Sequence, residues 1–375
     1  MAEAQDDTEI SSEYLDRTLT GDEIDDLVAR EDSPPEITYS TQDFTVDALV
    51  TRMERSAMRV PSFGKDDPAQ RTAGFQRSFV WTKAQMDRFI ESLLLGYPVP
   101  GIFLVKQADN VMLILDGQQR LETLRRFYSG VYDDKVFKLD NVGESYRGRT
   151  YKALDESSKL GLDDSYMHAT IVATDGSNEV NEAIYGIFER LNSGGTQLTA
   201  HEIRVALSAG PVMVAVERLN SIVAWRALYG PKNKRIRDHE LVLRIIALYL
   251  DAENYSRPLK QFLNAFSLKH RSATTLPAST EPLFEEAAQI LEQQVGRKAF
   301  RRKEGSQVNS AQAEAVMVGL MRILADPTRS VSSKLADAIE RLQDDPDFAR
   351  ATTRATADND AVMDRLEAAT RLLGA

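Results

Sequence analysis

At 375 residues with 42% apolar side chains, the chain exceeds one typical domain and carries enough apolar material for a sizeable core, so two packed units and a tail are expected. Zero cysteines exclude a disulfide framework, thiolate metal sites and a cysteine nucleophile, and make a cytoplasmic location the default expectation. The formal net charge of −11 argues against nucleic acid only until it is divided along the chain: residues 1–36 hold 13 acidic and 2 basic side chains, and the remainder is neutral overall.

Residues 1–36, ending in "REDSPPE", read as an acidic, disordered, solubilising leader, or as a DNA-mimicking or partner-binding tail. The segment lacks the basic and apolar regions of a signal peptide. No later run approaches the ~18 apolar residues of a membrane span, so neither secretion nor a span is expected. In "TVDALVTRMERSAM" Val46, Leu49, Met53 and Ala57 recur at helical spacing. Turn-rich sequence follows. Thr82 then stands three residues before Gln85 as a capping box, and Met86, Phe89, Ile90, Leu93 and Leu94 continue a helix that Gly96 and Pro98 end.

"GIFLV" and "VMLIL", separated by a short polar turn, read as a β-hairpin. Its second strand runs into Asp116-Gly117-Gln118-Gln119-Arg120, and Leu121, Leu124 and Phe127 carry a helix that Gly130 can close. "HATIVAT" is a candidate strand, and Ala183, Ile187 and Leu191 suggest a helix broken at "NSGGTQ" and restarted by the capping pair Thr199 and Glu202. Past residue 200 the pattern is almost wholly helical. The expected division is an α+β domain over 37–200 and an all-helical domain over 201–375.

Two polar junctions invite chemistry. A helix start exposes backbone N–H groups and a positive dipole end; Gly117 permits close approach, and Arg120 adds a donor fork, so phosphate is the natural occupant. Gln118 and Gln119 can each donate and accept, and Asp116 can hold a phosphate-bound Mg²⁺ directly or through water. The plainer alternative makes Asp116 an N-cap and Arg120 a surface arginine. The second junction, "FERLNSGGTQLTAHEIR", offers Arg190, Asn192, Gly194 and Gly195, whose glycines are equally explained by a helix–helix connection needing positive φ. No Walker motif occurs.

"FQRSFVW", "LLLGYPVPGIFL", "ILDGQQRLETL", "IFERLNSGGTQLTAHEIR", "IRDHELVLRIIAL", "KQFLNAF" and "VNSAQAEAVMVGL" together resemble, in order and approximate spacing, the DGQQR-motif family, which forms the N-terminal domain of GmrSD-type modification-dependent restriction proteins. The resemblance covers about Phe75 to Leu320. It implies a ParB/sulfiredoxin-like nucleotide-handling core followed by helices, with NTP binding and hydrolysis linked to the DGQQR segment and a role in defence against phage or other foreign, often modified, DNA.

By position it implies a catalytic set of Asp116, Gln119 and Arg120, with Asp116 toward metal. The implied nucleotide-binding set is Gln76, Arg77, Gly117, Gln118, Arg120, Asn192, Gly194 and Gly195. The cofactors implied are an NTP and Mg²⁺. Arg204, Asp238 and Arg244 also match recurrent charged positions, and Asp238 and Arg244 read equally as buried salt-bridge residues. Longer family members carry an HNH-type nuclease half whose chemistry needs histidines; none follows His270 here, so that half is expected to be missing and a separately encoded nuclease or effector is the expected partner, beside DNA. His201 and His239 lack zinc-helix spacing and read as packed or surface histidines. "GPKNKRIRDH" and "GRKAFRRKEG" are short basic clusters that suit either phosphate neutralisation or solvated helix ends. A nucleotide-gated binding module without turnover and a DNA-nicking domain remain as alternatives, and a homo-oligomer is compatible with all three.

Overall fold

The structure, a computed structural model, describes residues 38–60, 79, 81–107, 110–174, 180, 183–187, 199–208, 210–233, 235–271 and 276–375. The protein is mixed α+β, with a small sheet in its N-terminal part and helices toward the C-terminus. The described residues form two compact units, one ending before position 198 and one after it.

In the first unit, five strands assemble in the order β1-β7-β3-β4-β2. These are β1 (Tyr39–Thr45), β2 (Met58–Arg59), β3 (Ile102–Lys106), β4 (Met112–Asp116) and β7 (Tyr166–Ala173). The expected hairpin is present: β3 and β4 are antiparallel, with an irregularity between Phe103 and Leu104 that brings Phe103 opposite Asp116. β7 runs parallel to β3 and antiparallel to β1. A small β5–β6 hairpin (Val131–Tyr132 and Lys135–Val136) follows the DGQQR helix.

Residues opposite one another on neighbouring strands share a face, so Ile102, Leu104, Met112, Ile114, Met167, Ala169 and Ile171 all point to one side. That side is packed by α1 (Val46–Glu54), α2 (Lys83–Leu94) and α3 (Gln118–Ser129) through Val46, Leu49, Met86, Phe89, Ile90, Leu121, Leu124 and Phe127. Burying such a side chain stabilises by about 1.5–3 kcal/mol, which makes this face the fold's main anchor. α1 stops at Glu54, so Ala57 lies beyond the helix that its spacing suggested. α2 carries the predicted capping box: Thr82 accepts from Gln85 N, and Gln85 reaches back to Thr82 N at 2.8 Å. α4 (Glu156–Asp163) starts on Asp155, which accepts from Ser158 N.

The second unit is helical. α5 (Ala200–Leu207) starts on the predicted Thr199–Glu202 capping box. α6 (Pro211–Asn220), α7 (Val223–Tyr229), α8 (Arg237–Asp251) and α9 (Leu259–Lys269) follow, then α10 (Thr280–Gln294), α11 (Ser310–Ala325), α12 (Leu335–Asp344), α13 (Pro346–Ala351) and α14 (Asn359–Leu372). α11 is buried along almost its whole length and packs against α8, α10 and α14, so it is the axis of this unit. Trp225 is fully buried between Phe284 and Phe300, a core residue rather than a stacking platform. Among the described residues, no helix is long and apolar enough to cross a membrane.

Candidate functional site at the strand-to-helix junction

β4 enters the junction as a buried run, Met112 to Leu115, and emerges at Asp116, whose side chain is 56% exposed. The next residue, Gly117, takes φ +91° and serves as the N-cap of α3, with Leu121 N donating to its carbonyl at 2.9 Å. Asp116 therefore ends the strand and is not the cap, contrary to the plainer reading of its position. Gly117 is required for two reasons. Its φ lies where L side chains are strained, and a Cβ would come within 2.4 Å of Ile102 Cγ2 in the core.

Arg120 lies one turn on and reaches back. Its Nη2 donates to Asp116 Oδ2 at 2.7 Å and to the carbonyl of Gly101, the residue before β3, at 2.8 Å. Its Nε is buried without a hydrogen-bond partner among the described residues. The guanidinium is thus fixed between strand ends beside the start of α3, and its Nε keeps unused donor capacity. This is a donor set that suits a phosphate oxygen.

The glutamines divide the remaining work. Gln119 Oε1 accepts from Trp81 N at 3.1 Å, which ties the helix start to the entry of α2, and Trp81 packs edge-on against Phe89. Gln118 is buried. The next turn of α3 holds Glu122, on which burial acts to raise the pKa; hydrogen bonds and charge from Arg125 and Arg126 outweigh that and hold it below the ordinary carboxylate value. Arg126 also lies over the Phe79 ring at 4.0 Å. Gln76, Arg77, Asn192, Gly194 and Gly195, the other predicted nucleotide-binding positions, lie outside the described residues, as does Arg190.

As to metal, no group of three or more His, Asp or Glu close enough to hold an ion occurs among the described residues. Asp116 stands as a single carboxylate with one oxygen engaged by Arg120. That donor set fits a Mg²⁺ carried largely by its phosphates, which commonly keeps only one or two protein carboxylates.

Residues 65–208 match the family described as GmrSD restriction endonuclease, N-terminal domain. The chain carries a GmrSD-type N-terminal domain. The junction lies within the matched segment, which runs past the first compact unit to take in α5. No curated protein and no solved structure matches the chain. The GmrSD family is a restriction family, so the domain is of the restriction type.

The charged positions beyond the junction are occupied internally. Arg204 is fully buried and donates to Asn264 Oδ1 at 2.8 Å and to His201 Nδ1 at 3.0 Å. Asp238 pairs with Arg226 at 2.8 Å, and Arg244 with Glu314 at 2.8 Å, so both are engaged in ion pairs inside the helical unit. His201 and His239 are packed against each other. In the basic clusters, Lys232 pairs with Glu217, Arg235 with Glu202 and Lys303 with Asp344. Arg301 donates to the carbonyls of Leu228, Tyr229, Arg297 and Ser306. These side chains knit helices together, and Lys232, Arg235 and Lys303 already face carboxylates.

Proposed function

We propose that this chain is a component of restriction-type defence against foreign or modified DNA whose GmrSD-type domain binds an NTP with Mg²⁺ at the Asp116–Arg120 junction and hydrolyses it. Turnover would control engagement of DNA or of a separate nuclease or effector. The observation that carries this reading is Arg120, braced by Asp116 and Gly101 with a buried, unused Nε at an α-helix start.

In this scheme Arg120 balances phosphate charge, the backbone N–H groups after Gly117 cradle it, and Asp116 contributes one ligand to the Mg²⁺. Bound Mg²⁺ would supply charge neutralisation on the phosphates. Gln119 acts as a positioning residue, since its carbonyl oxygen is engaged by Trp81 N. Arg77 and Asn192 are the candidates for additional phosphate contacts from the flanking segments.

NTP turnover by the purified chain, with four nucleotides, with and without DNA, is the test. Arg120→Ala, with its fold verified by circular dichroism, is expected to abolish turnover. Turnover unchanged in that variant would remove the junction from the reaction. One observation favours a second reading, a nucleotide-gated binding module: Asp116 already spends an oxygen on Arg120. Nucleotide binding that alters DNA affinity, with no turnover of any nucleotide, would select it.

A further inference from the structure

The face of the sheet opposite the main core is filled at Val105, Leu113, Leu115 and Val172 but open toward β1. Across it the register lines up Asp116, Phe103, Thr170 and Thr41 in one row, from β4 through β3 and β7 to β1. Two residues back along β7 stands His168, directly opposite Asp43 on β1, and its Nδ1 lies 2.9 Å from Asp43 Oδ1. The two side chains are 56% and 61% exposed. Phe103 and Thr170 are half-buried, and Thr41 is exposed.

This open face is continuous with the junction. Gly101 runs level with His168, so closely that a Cβ on it would lie 2.8 Å from the His168 carbonyl oxygen. The other side of Gly101 is the carbonyl that holds Arg120. One end of the surface therefore carries the Asp116–Arg120 ion pair at a helix start, whose backbone N–H groups favour anions; the other presents a carboxylate, an imidazole and hydroxyls beside an aromatic ring.

We propose that this face is the shelf for the nucleoside half of the NTP, with the ribose hydroxyls and base edge received by Asp43, His168 and Thr170 beside the Phe103 ring. This rests on the phosphate reading of the Asp116–Arg120 junction. Charge fixes the orientation. Both ends hold a carboxylate, but the Asp116 end adds a guanidinium and a helix start, so the triphosphate belongs at Arg120, and Asp43 is left to accept from neutral sugar hydroxyls. Reach agrees, because β4 and β7 are two strand spacings apart, about 9.5 Å, and a triphosphate laid across β3 places its sugar over β7. As mere structure, an exposed cross-strand His–Asp pair would add little to folding and nothing to ligand choice.

The experiment is calorimetric titration of the full chain with each of the four NTPs and, separately, with inorganic tripolyphosphate, all with Mg²⁺. The wild type is expected to bind at least one NTP about tenfold or more tighter than tripolyphosphate, the worth of one or two well-made hydrogen bonds. His168→Ala and Thr170→Val are expected to erase that difference while leaving tripolyphosphate affinity unchanged; both positions are on the surface face, and thermal melts would verify folding. NTP affinity unchanged in both variants overturns the shelf and leaves the phosphate site standing. Tripolyphosphate affinity unchanged in Arg120→Ala, or no binding of either ligand by the wild type, overturns the phosphate reading and the shelf with it.

Discussion

Nε2 of His201 lies 2.8 Å from Nδ1 of His239, with both rings buried in the helical unit. Arginine only donates, so the contact from Arg204 Nη1 makes His201 Nδ1 an acceptor and puts its proton on Nε2. His201 then donates to His239 Nδ1, and His239 carries its own proton on Nε2 and makes a backbone hydrogen bond to Met213. The chain of donors runs one way and requires both rings neutral.

A pH dependence of stability follows. Burial first, then the neighbouring His239 and Arg204, hold His201 well below its ordinary value; burial lowers His239 from 6.5 to about 4. Below pH 6.5 the unfolded chain binds protons that the folded chain refuses. Stability is therefore full above that value and falls as pH drops toward 4, by up to about 1.4 kcal/mol per pH unit for each ring. Urea unfolding at pH 7 and pH 5 should show the loss, and the double variant His201→Gln/His239→Gln should have a flatter profile. An equal slope in that variant would assign the pH dependence to other groups.

Gly117→Ala is expected to cost stability as well as ligand binding. The left-handed backbone alone costs roughly 1–2 kcal/mol with a Cβ, and the collision with Ile102 adds overpacking of about 1–3 kcal/mol. Gly130, the C-cap of the same helix at φ +80°, has nothing within 4 Å of an added Cβ, so Gly130→Ala should cost only the backbone part. Equal shifts in denaturation midpoint for the two would mean that Ile102 yields freely.

What was legible in the sequence was local. The capping boxes at Thr82 and Thr199, the hairpin into Asp116 and the closing Gly130 each rest on residues within a few positions of one another, and each is present. β1 was not legible, because Tyr39 to Asp43 are exposed on both faces and leave no alternation to read. β2 is two residues long. The partners in the ion pairs were hidden for another reason: Arg244 meets Glu314 seventy positions away, and the packing of α8 on α11 joins them. At the junction, the local pattern left Asp116 the role of N-cap, which Gly117 fills instead. The open sheet face escaped because its members come from four strands, and His168 and Asp43 are 125 positions apart.

Asp87 shows how a buried charge is held. It lies on α2 with no exposure and pairs with Lys83. Its second oxygen accepts from the backbone of Asp140 and Asn141 and from Asn141 Nδ2, at 2.8–3.1 Å. Lys83 in turn caps the Lys138 carbonyl and lies over the Phe137 ring. Asp87→Ala strands these donors in the interior and is expected to cost about 3–5 kcal/mol, whereas Asp87→Asn, which keeps an acceptor oxygen, should cost less. Thermal unfolding of the pair of variants decides it; similar losses would mean that the charge, rather than the loop it pins, carries the stability.

The triad of Arg244, Glu314 and Arg365 supplies the strongest mutational contrast in the helical unit. Glu314 is fully buried between the two arginines, accepting from Arg244 Nε at 2.8 Å and Arg365 Nε at 2.9 Å, and so joins α8, α11 and α14. Glu314→Gln would leave two guanidinium groups without a counter-charge and is expected to destabilise by about 3–5 kcal/mol. Replacing all three with apolar residues of similar size, Arg244→Met/Glu314→Leu/Arg365→Met, removes the desolvation cost along with the attraction. Arg365 also serves the carbonyls of Thr356 and, more distantly, Ala351, and losing those contacts costs about 1 kcal/mol each. The triple variant should therefore recover most of what Glu314→Gln loses without surpassing the wild type by much. Chemical denaturation of the three proteins checks the ranking; a triple variant as unstable as the single would show that the ion triad, and not the apolar packing around it, holds the three helices in register.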